Sequence, residues 1–174
     1  MKKLFYLGAL LMMAGSFSMN AQYTFSGGSG TKADPYQIKT AEDLAAVGNY
    51  TQNSDVAFIM MNDIDLADYI AAQQDGWPMI GGGKDSAFRG VFDGNSHVIT
   101  GFTMLKGTQN SGGLFGCIGA PGVVKNLTIK DAEIECGAWA GILTQKNGNW
   151  EDQGGSIDNV HIIGGSIMGT SQIG

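Results

Sequence analysis

The sequence predicts an all-β solenoid, a chain of short strands wound into stacked coils. Three observations carry that prediction. Segments Val98–Met104, Val123–Ile129 and Ser156–Ile162 share one pattern of apolar, polar, Gly or Asn, then apolar-polar-apolar. The 28 glycines follow no collagen period and separate short runs of Val, Ile, Leu and Phe, which is the signature of many turns joining short strands. Hydrophobic residues make up 43% of the chain and charged residues 15%, a balance that supports a packed core and excludes disorder.

Taken in order, residues 1–21 form a secretory signal peptide. Lys2 and Lys3 precede the apolar stretch Leu4 to Ala14, and small and polar residues follow as far as Ala21. The stretch is shorter than the roughly 20 residues of a membrane span; its alternative is a buried N-terminal helix. No Cys follows it for lipid attachment. Export places the protein outside the cytoplasm, secreted or at the cell surface. Loss of Lys2 and Lys3 takes the formal charge from −6 to −8. So acidic a surface, without a basic stripe, excludes nucleic acid and anionic lipid as partners.

Residues 22–97 read as an N-terminal cap and first coils. Thr40, with Glu42 and Asp43 in the first turn and Leu44 to Val47 after them, predicts a short capping helix ending at Gly48. It would cover the first coil against edge-to-edge association. Strands are predicted over Val56–Met61, Trp77–Ile80 and Phe88–Phe92, the last closed by a turn at Asp93-Gly94-Asn95.

Residues 98–174 read as the repeats. Gly101, Asn126 and Asn159 occupy the special backbone position, with spacings of 25 and then 33 residues. Gly and Asn enter the left-handed region at low cost, so one such residue per coil bends the strand, and the asparagines can form a ladder. In this alignment Ile99, Phe102 and Met104 stack on Val124, Leu127 and Ile129, and these on Ile157, Val160 and Ile162. One coil alone cannot bury its face, hence the repetition. Gly112-Gly113-Leu114-Phe115-Gly116 precedes the middle segment and Ala140-Gly141-Ile142-Leu143-Thr144 the third; the extra residues of the longer spacing predict an enlarged loop over Gln145–Gly155.

Gly113-Leu114-Phe115-Gly116, the run from Phe88 to Ile99, and Val124 to Ile129 together resemble the GLUG-motif family of exported bacterial repeat proteins. The lead-in from Gly28 to Ile38, with Thr40 to Leu44, is similar as well. The resemblance spans nearly the whole mature chain. It implies a right-handed parallel β-helix, a cell-surface or adhesin-like setting, and repeats that sit beside other modules. It supplies no catalytic residues. Two departures are visible: Ala140 to Thr144 lacks the motif's outer glycines, with Trp139 just before it. And Ser171 to Gly174 stops where another glycine motif would begin, as expected of a truncated chain with an uncapped C-terminal edge.

Chemistry is sparse. His97 and His161 occupy different repeat positions, and no His-Glu-x-x-His is present. Asp63 and Asp65 share a strand face with Asp68 nearby, an arrangement open to structural turn acids, calcium ligation or proton abstraction. Gly81 to Ser86 lacks phosphate-loop spacing. The sequons at Asn49 and Asn126 read as coincidence. Cys117 and Cys136 are either a disulfide or two buried thiols. No cofactor or metal is called for. Within the enlarged loop, Asn149, Trp150, Glu151 and Asp152 are the candidate ligand-binding residues, an aromatic face flanked by amide and acids that suits sugar rings; the alternative folds Trp150 back as an apolar lid, and Trp139 reads as core or lid. The expected function is a non-enzymatic binding or adhesion module. Its partner is an extracellular glycan or a host or cell-surface protein, alongside further repeats or domains of the same protein. The alternatives are part of a β-helical polysaccharide lyase or hydrolase, and a structural stalk.

Overall fold

The computed structural model describes residues 23–82, 84–104, 111–148 and 153–169, so the predicted signal peptide lies outside the described residues. The fold is a parallel β-helix of about three turns, with two short helices among the described residues. Its strands are β1 (Tyr36–Ile38), β2 (Ala57–Met60), β3 (Ile64–Asp65), β4 (Val91–Asp93), β5 (Val98–Thr100), β6 (Thr103–Met104) and β7 (Ser111–Gly112). They continue as β8 (Phe115–Ile118), β9 (Val123–Lys130), β10 (Glu133–Cys136), β11 (Trp139–Ala140), β12 (Thr144–Asn147), β13 (Ser156–Ile163) and β14 (Ser166–Gly169).

Every pairing between these strands is parallel. One arm of the coil stacks β1, β2, β4 and the first half of β9, with β13 beyond it. After a corner, the next arm stacks β3, β5 and the second half of β9. A second corner leads to β6, β10 and β14, and the coil closes through β7 with β11 and β8 with β12.

The coil register matches the predicted one across the longer spacing, where Val124, Leu127 and Ile129 stack on Ile157, Val160 and Ile162, and differs from it across the shorter one. Ile99 stacks on Ile129, not Val124, and Met104 stacks on Ile134. Val124 stacks on Phe92 and Ile157, and Leu127 on Val160. Asn126 and Asn159 do share a corner, 33 residues apart, with φ of 52° and 50°. Gly101 belongs instead to the second corner, above Asp131 and Gly164, where φ is 65°, 52° and 69°. The coils from β4 onward each carry two left-handed corners, flanked by the same apolar-polar alternation. A pattern match therefore slides readily from one corner to the other while keeping every inward residue inward. For that reason Ile99, Phe102, Met104, Val124, Leu127 and Ile129 are all buried as predicted, though Ile99 and Met104 stack on other partners than predicted.

An aromatic column runs through the core. Phe58 lies 6.3 Å from Phe88, Phe88 lies 5.2 Å from Phe115, and Phe115 lies 5.7 Å from Phe92. Trp77, predicted in a strand, is fully buried instead as an anchor, its indole N–H donating to the Leu114 carbonyl at 3.0 Å. Gly113 explains the glycine motif beside it: a Cβ there would sit 2.7 Å from the Phe115 carbonyl oxygen and 2.9 Å from that of Gly141, so only glycine lets these coils close up.

The N-terminal end is closed as predicted. Helix α1 (Ala41–Ala46) starts at Thr40, whose hydroxyl accepts from the Asp43 amide at 3.2 Å, and buries Leu44, as the 3-10 turn after it buries Val47, in the core of the first coil. Asp43, only 2% exposed, accepts from the Tyr23 hydroxyl, the Ser26 hydroxyl and the Lys39 amide. Three donors satisfy this buried acid and tie the preceding segment down onto the cap. Burial and the Asp43 carboxylate beside it push the Tyr23 hydroxyl up to about 12.

The sequence reading missed helix α2 (Ala67–Ala72). It occupies the stretch between β3 and Ile80, where later coils place strands, and leaves β6 as the edge of its sheet. The predicted loop over Gln145–Gly155 is shorter than expected: Thr144–Asn147 is strand β12, paired with Phe115–Ile118. Cys117 and Cys136 are buried thiols, not joined in a disulfide.

Candidate functional site

The polar surface of the first corner is organised along a ladder. The Asn159 side-chain amide donates to Asn126 Oδ1 at 2.9 Å, and the Asn126 amide donates to Asp93 Oδ1 at 3.0 Å. Asp93 also accepts from the Asn95 backbone amide at 2.9 Å and pairs with Lys125 Nζ at 3.2 Å. The ladder has a direction: each amide donates toward the N-terminal end and stops on a carboxylate. Partial burial raises the Asp93 carboxyl, but the Asn126 amide, the Asn95 N–H and Lys125 outweigh it and hold the group below the usual carboxylate value. At the other end His161 Nε2 lies 3.0 Å from Asn159 Oδ1.

The three acids singled out from the sequence do not converge. Asp63 accepts from the Val98 backbone amide at 2.9 Å and lies 3.0 Å from His97 Nδ1; these two contacts lower its carboxyl pKa. Asp65 accepts from the Ala67 amide at 2.9 Å in the turn that leads into α2. Both act as turn acids, locking neighbouring chain segments. Among the described residues no group of three or more His, Cys, Asp or Glu is placed to hold a metal ion.

Asn149, Trp150, Glu151 and Asp152 lie outside the described residues, while Gln153 and Gly154 beyond them are exposed. Trp139 is half-buried in β11, with Lys146 Nζ 3.7 Å from its ring centroid, a cation–π contact on the flank of the coil.

A recess that the sequence reading did not find lies between α2 and the β6 edge. It measures about 400 Å³, with Ala67, Ile70 and Ala71 on the helix side, Thr103 on the strand side, and Gln73 and Gln74 among its polar lining. That volume is in the range of small-ligand sites. The visible signal in the sequence was Ala67 to Ala72, a short alanine-rich run interrupting the strand pattern.

No family model matches the chain. A protein of Evansella cellulosilytica named "Putative Gly-rich membrane protein" is 38% identical over 138 residues, 79% of this chain and 15% of that protein. Halomucin of Haloquadratum walsbyi is 29% identical over 153 residues, 84% of this chain and 2% of that protein. The chain therefore spans a small part of the length of either relative. Among solved structures, a "putative immunoglobulin A1 protease from Bacteroides ovatus" superposes with a TM-score of 0.61 at 28% identity, covering 80% of this chain and 40% of that one. Among the described residues no helix is long and apolar enough to cross a membrane. The fold and these relatives are compatible with a surface or structural module.

Proposed function

We propose that the chain is a non-catalytic module of a secreted or cell-surface protein, built from GLUG-like repeats, that binds a glycan on the flank of its solenoid. The recess beside α2 carries this reading. A sugar ring offers C–H faces and a rim of hydroxyls; Ala67, Ile70 and Ala71 suit the first, while the Gln73 and Gln74 amides and the Thr103 hydroxyl suit the second, because each can donate and accept. Insertions on solenoids commonly mark the binding face, and α2 is such an insertion. The acids favour binding over catalysis, since Asp63, Asp65 and Asp93 are each engaged by backbone amides.

A glycan array followed by calorimetry tests the reading. The chain should bind a defined glycan, and Gln73→Ala with Gln74→Ala should weaken binding about tenfold, the scale of two lost hydrogen bonds. Loss on Trp150→Ala alone would move the site to the enlarged loop. Absence of any bound glycan would refute the proposal.

The Bacteroides ovatus neighbour favours one second reading, a β-helix that forms part of an enzyme. Shortening of a polysaccharide, or cleavage of a protein substrate, by the purified chain would establish that reading instead.

A further inference from the structure

We propose that the recess beside α2 is the first subsite of an axial track, and that the track takes an uncharged polysaccharide lying along the solenoid axis. The track rests on the glycan reading of the recess and extends it to the next coil. Thr103, on the strand side of the recess, is the direct cross-strand partner of Glu133 one coil further on. Gly101, also in the lining, occupies the corner that Asp131 occupies in that next coil. Phe102, Met104, Ala132 and Ile134 are buried, so alternation turns Gly101, Thr103, Asp131 and Glu133 outward. Asp131 and Glu133 are exposed, and β10, which carries Glu133, is paired on both edges. The flank is thus a formed sheet surface, not a strand edge.

Spacing and charge select the occupant. Successive coils lie roughly 4.8 Å apart along the axis, whereas outward residues along one strand recur roughly every 6.6 Å, twice the rise per residue. A pyranose unit in an extended chain matches the first spacing, so a polymer running along the axis meets one outward set per sugar. Gly101 has no side chain to block the way out of the recess, and the Thr103 hydroxyl beside it can donate and accept. At the next coil the Asp131 and Glu133 carboxylates accept from neighbouring sugar hydroxyls as charge-assisted hydrogen bonds. Lys130 Nζ lies 4.0 Å from Asp131 Oδ2, but among the described residues no cation pairs with Glu133. With a formal charge of −6 on the chain, the track repels uronate and sulfate groups.

Calorimetric titration of the chain with cello- and N-acetylchito-oligosaccharides, against oligogalacturonates of the same lengths, is the test. A neutral tetrasaccharide should bind about tenfold tighter than the matching disaccharide, the scale of two further hydrogen bonds, and tetragalacturonate should not bind. Asp131→Asn with Glu133→Ala should remove that gain and leave disaccharide affinity unchanged, which also reports an intact fold; Asn tolerates the left-handed backbone at this corner, φ 52°. Gln73→Ala with Gln74→Ala should weaken both lengths. Equal affinity for the two lengths, a gain that survives the acid variant, or measurable tetragalacturonate binding would each overturn the track while leaving the recess as a glycan site. Absence of binding by every oligomer would overturn the track, and an empty glycan array would overturn the reading beneath it.

Discussion

Replacing Asn126 by Asp probes the corner ladder with a change of one atom. Asp tolerates the left-handed backbone that Asn126 adopts, φ 52°, and keeps an oxygen to accept from the Asn159 amide. It removes the donor that faces Asp93 Oδ1 at 3.0 Å and places a second carboxylate there. A hydrogen bond to a charged group contributes about 1.5–3 kcal/mol, and the low end applies at this half-exposed site. Two like charges about 4 Å apart cost about 1 kcal/mol in water and about 4 at a surface-like effective dielectric; with Lys125 at 3.2 Å offsetting part of this, about 1–2 is reasonable. The sum is about 3 kcal/mol of lost stability at neutral pH. In acid, once one carboxyl of the pair has taken up a proton, the repulsion disappears and an O–H donor returns, so the loss should shrink to about 1 kcal/mol. Urea unfolding of both proteins at neutral and at acid pH, followed by far-ultraviolet circular dichroism, measures it. Equal stability at pH 7, or the same loss at both pH values, would refute the ladder as a stabilising element.

Two further outcomes follow from the same geometry. Gly101→Ala puts a side chain at φ +65° with its Cβ 2.1 Å from Asp65 Oδ1 and 2.8 Å from the Ala67 nitrogen; left-handed strain of about 1–2 kcal/mol and loss of the hydrogen bond from the Ala67 amide to Asp65 should together cost about 2–4 kcal/mol. Gly82→Ala, where nothing lies within 4 Å, should melt as the parent does. In acid, Asp63 and Asp93 both have carboxyls held below the ordinary aspartate value. A lowered folded value means that their stabilisation is fully present above the unfolded value and is lost as pH falls through the lower one. Stability should therefore hold down to about pH 5 and decline below about pH 4, and Asp93→Asn should flatten part of that decline.

Much of this architecture was legible in the sequence because it rests on local backbone chemistry. Thr40 with Asp43 marked the cap, and Asn126 with Asn159 marked a corner, since each needs a specific residue type whatever the tertiary context. The inward residues were legible for the same reason, through alternation. What stayed hidden depends on long-range placement. Gly101 was assigned to the wrong corner because two corners per coil satisfy one pattern. Helix α2 was missed because six residues are too few for helical periodicity to outweigh the strand signals around them. Thr144–Asn147 is polar and reads as loop, yet β8 supplies it with a parallel partner. The recess was invisible for a related reason: Ile70, Gln73 and Thr103 meet only once α2 packs against the β6 edge.

The central claim, parallel coils stacked in this register, is tested most directly by cross-linking. In a Cys117→Ala, Cys136→Ala background, Thr128→Cys with His161→Cys places two thiols on residues that are direct cross-strand partners, within the Cα separation of roughly 4.4–6.8 Å that a disulfide needs. Thr103→Cys with Thr128→Cys tests the shorter repeat that the sequence pattern alone favours; Thr103 is instead partnered by Glu133. The account predicts that mild oxidation closes the first pair quantitatively and leaves the second reduced. Closure of the second pair, or failure of the first, would contradict it.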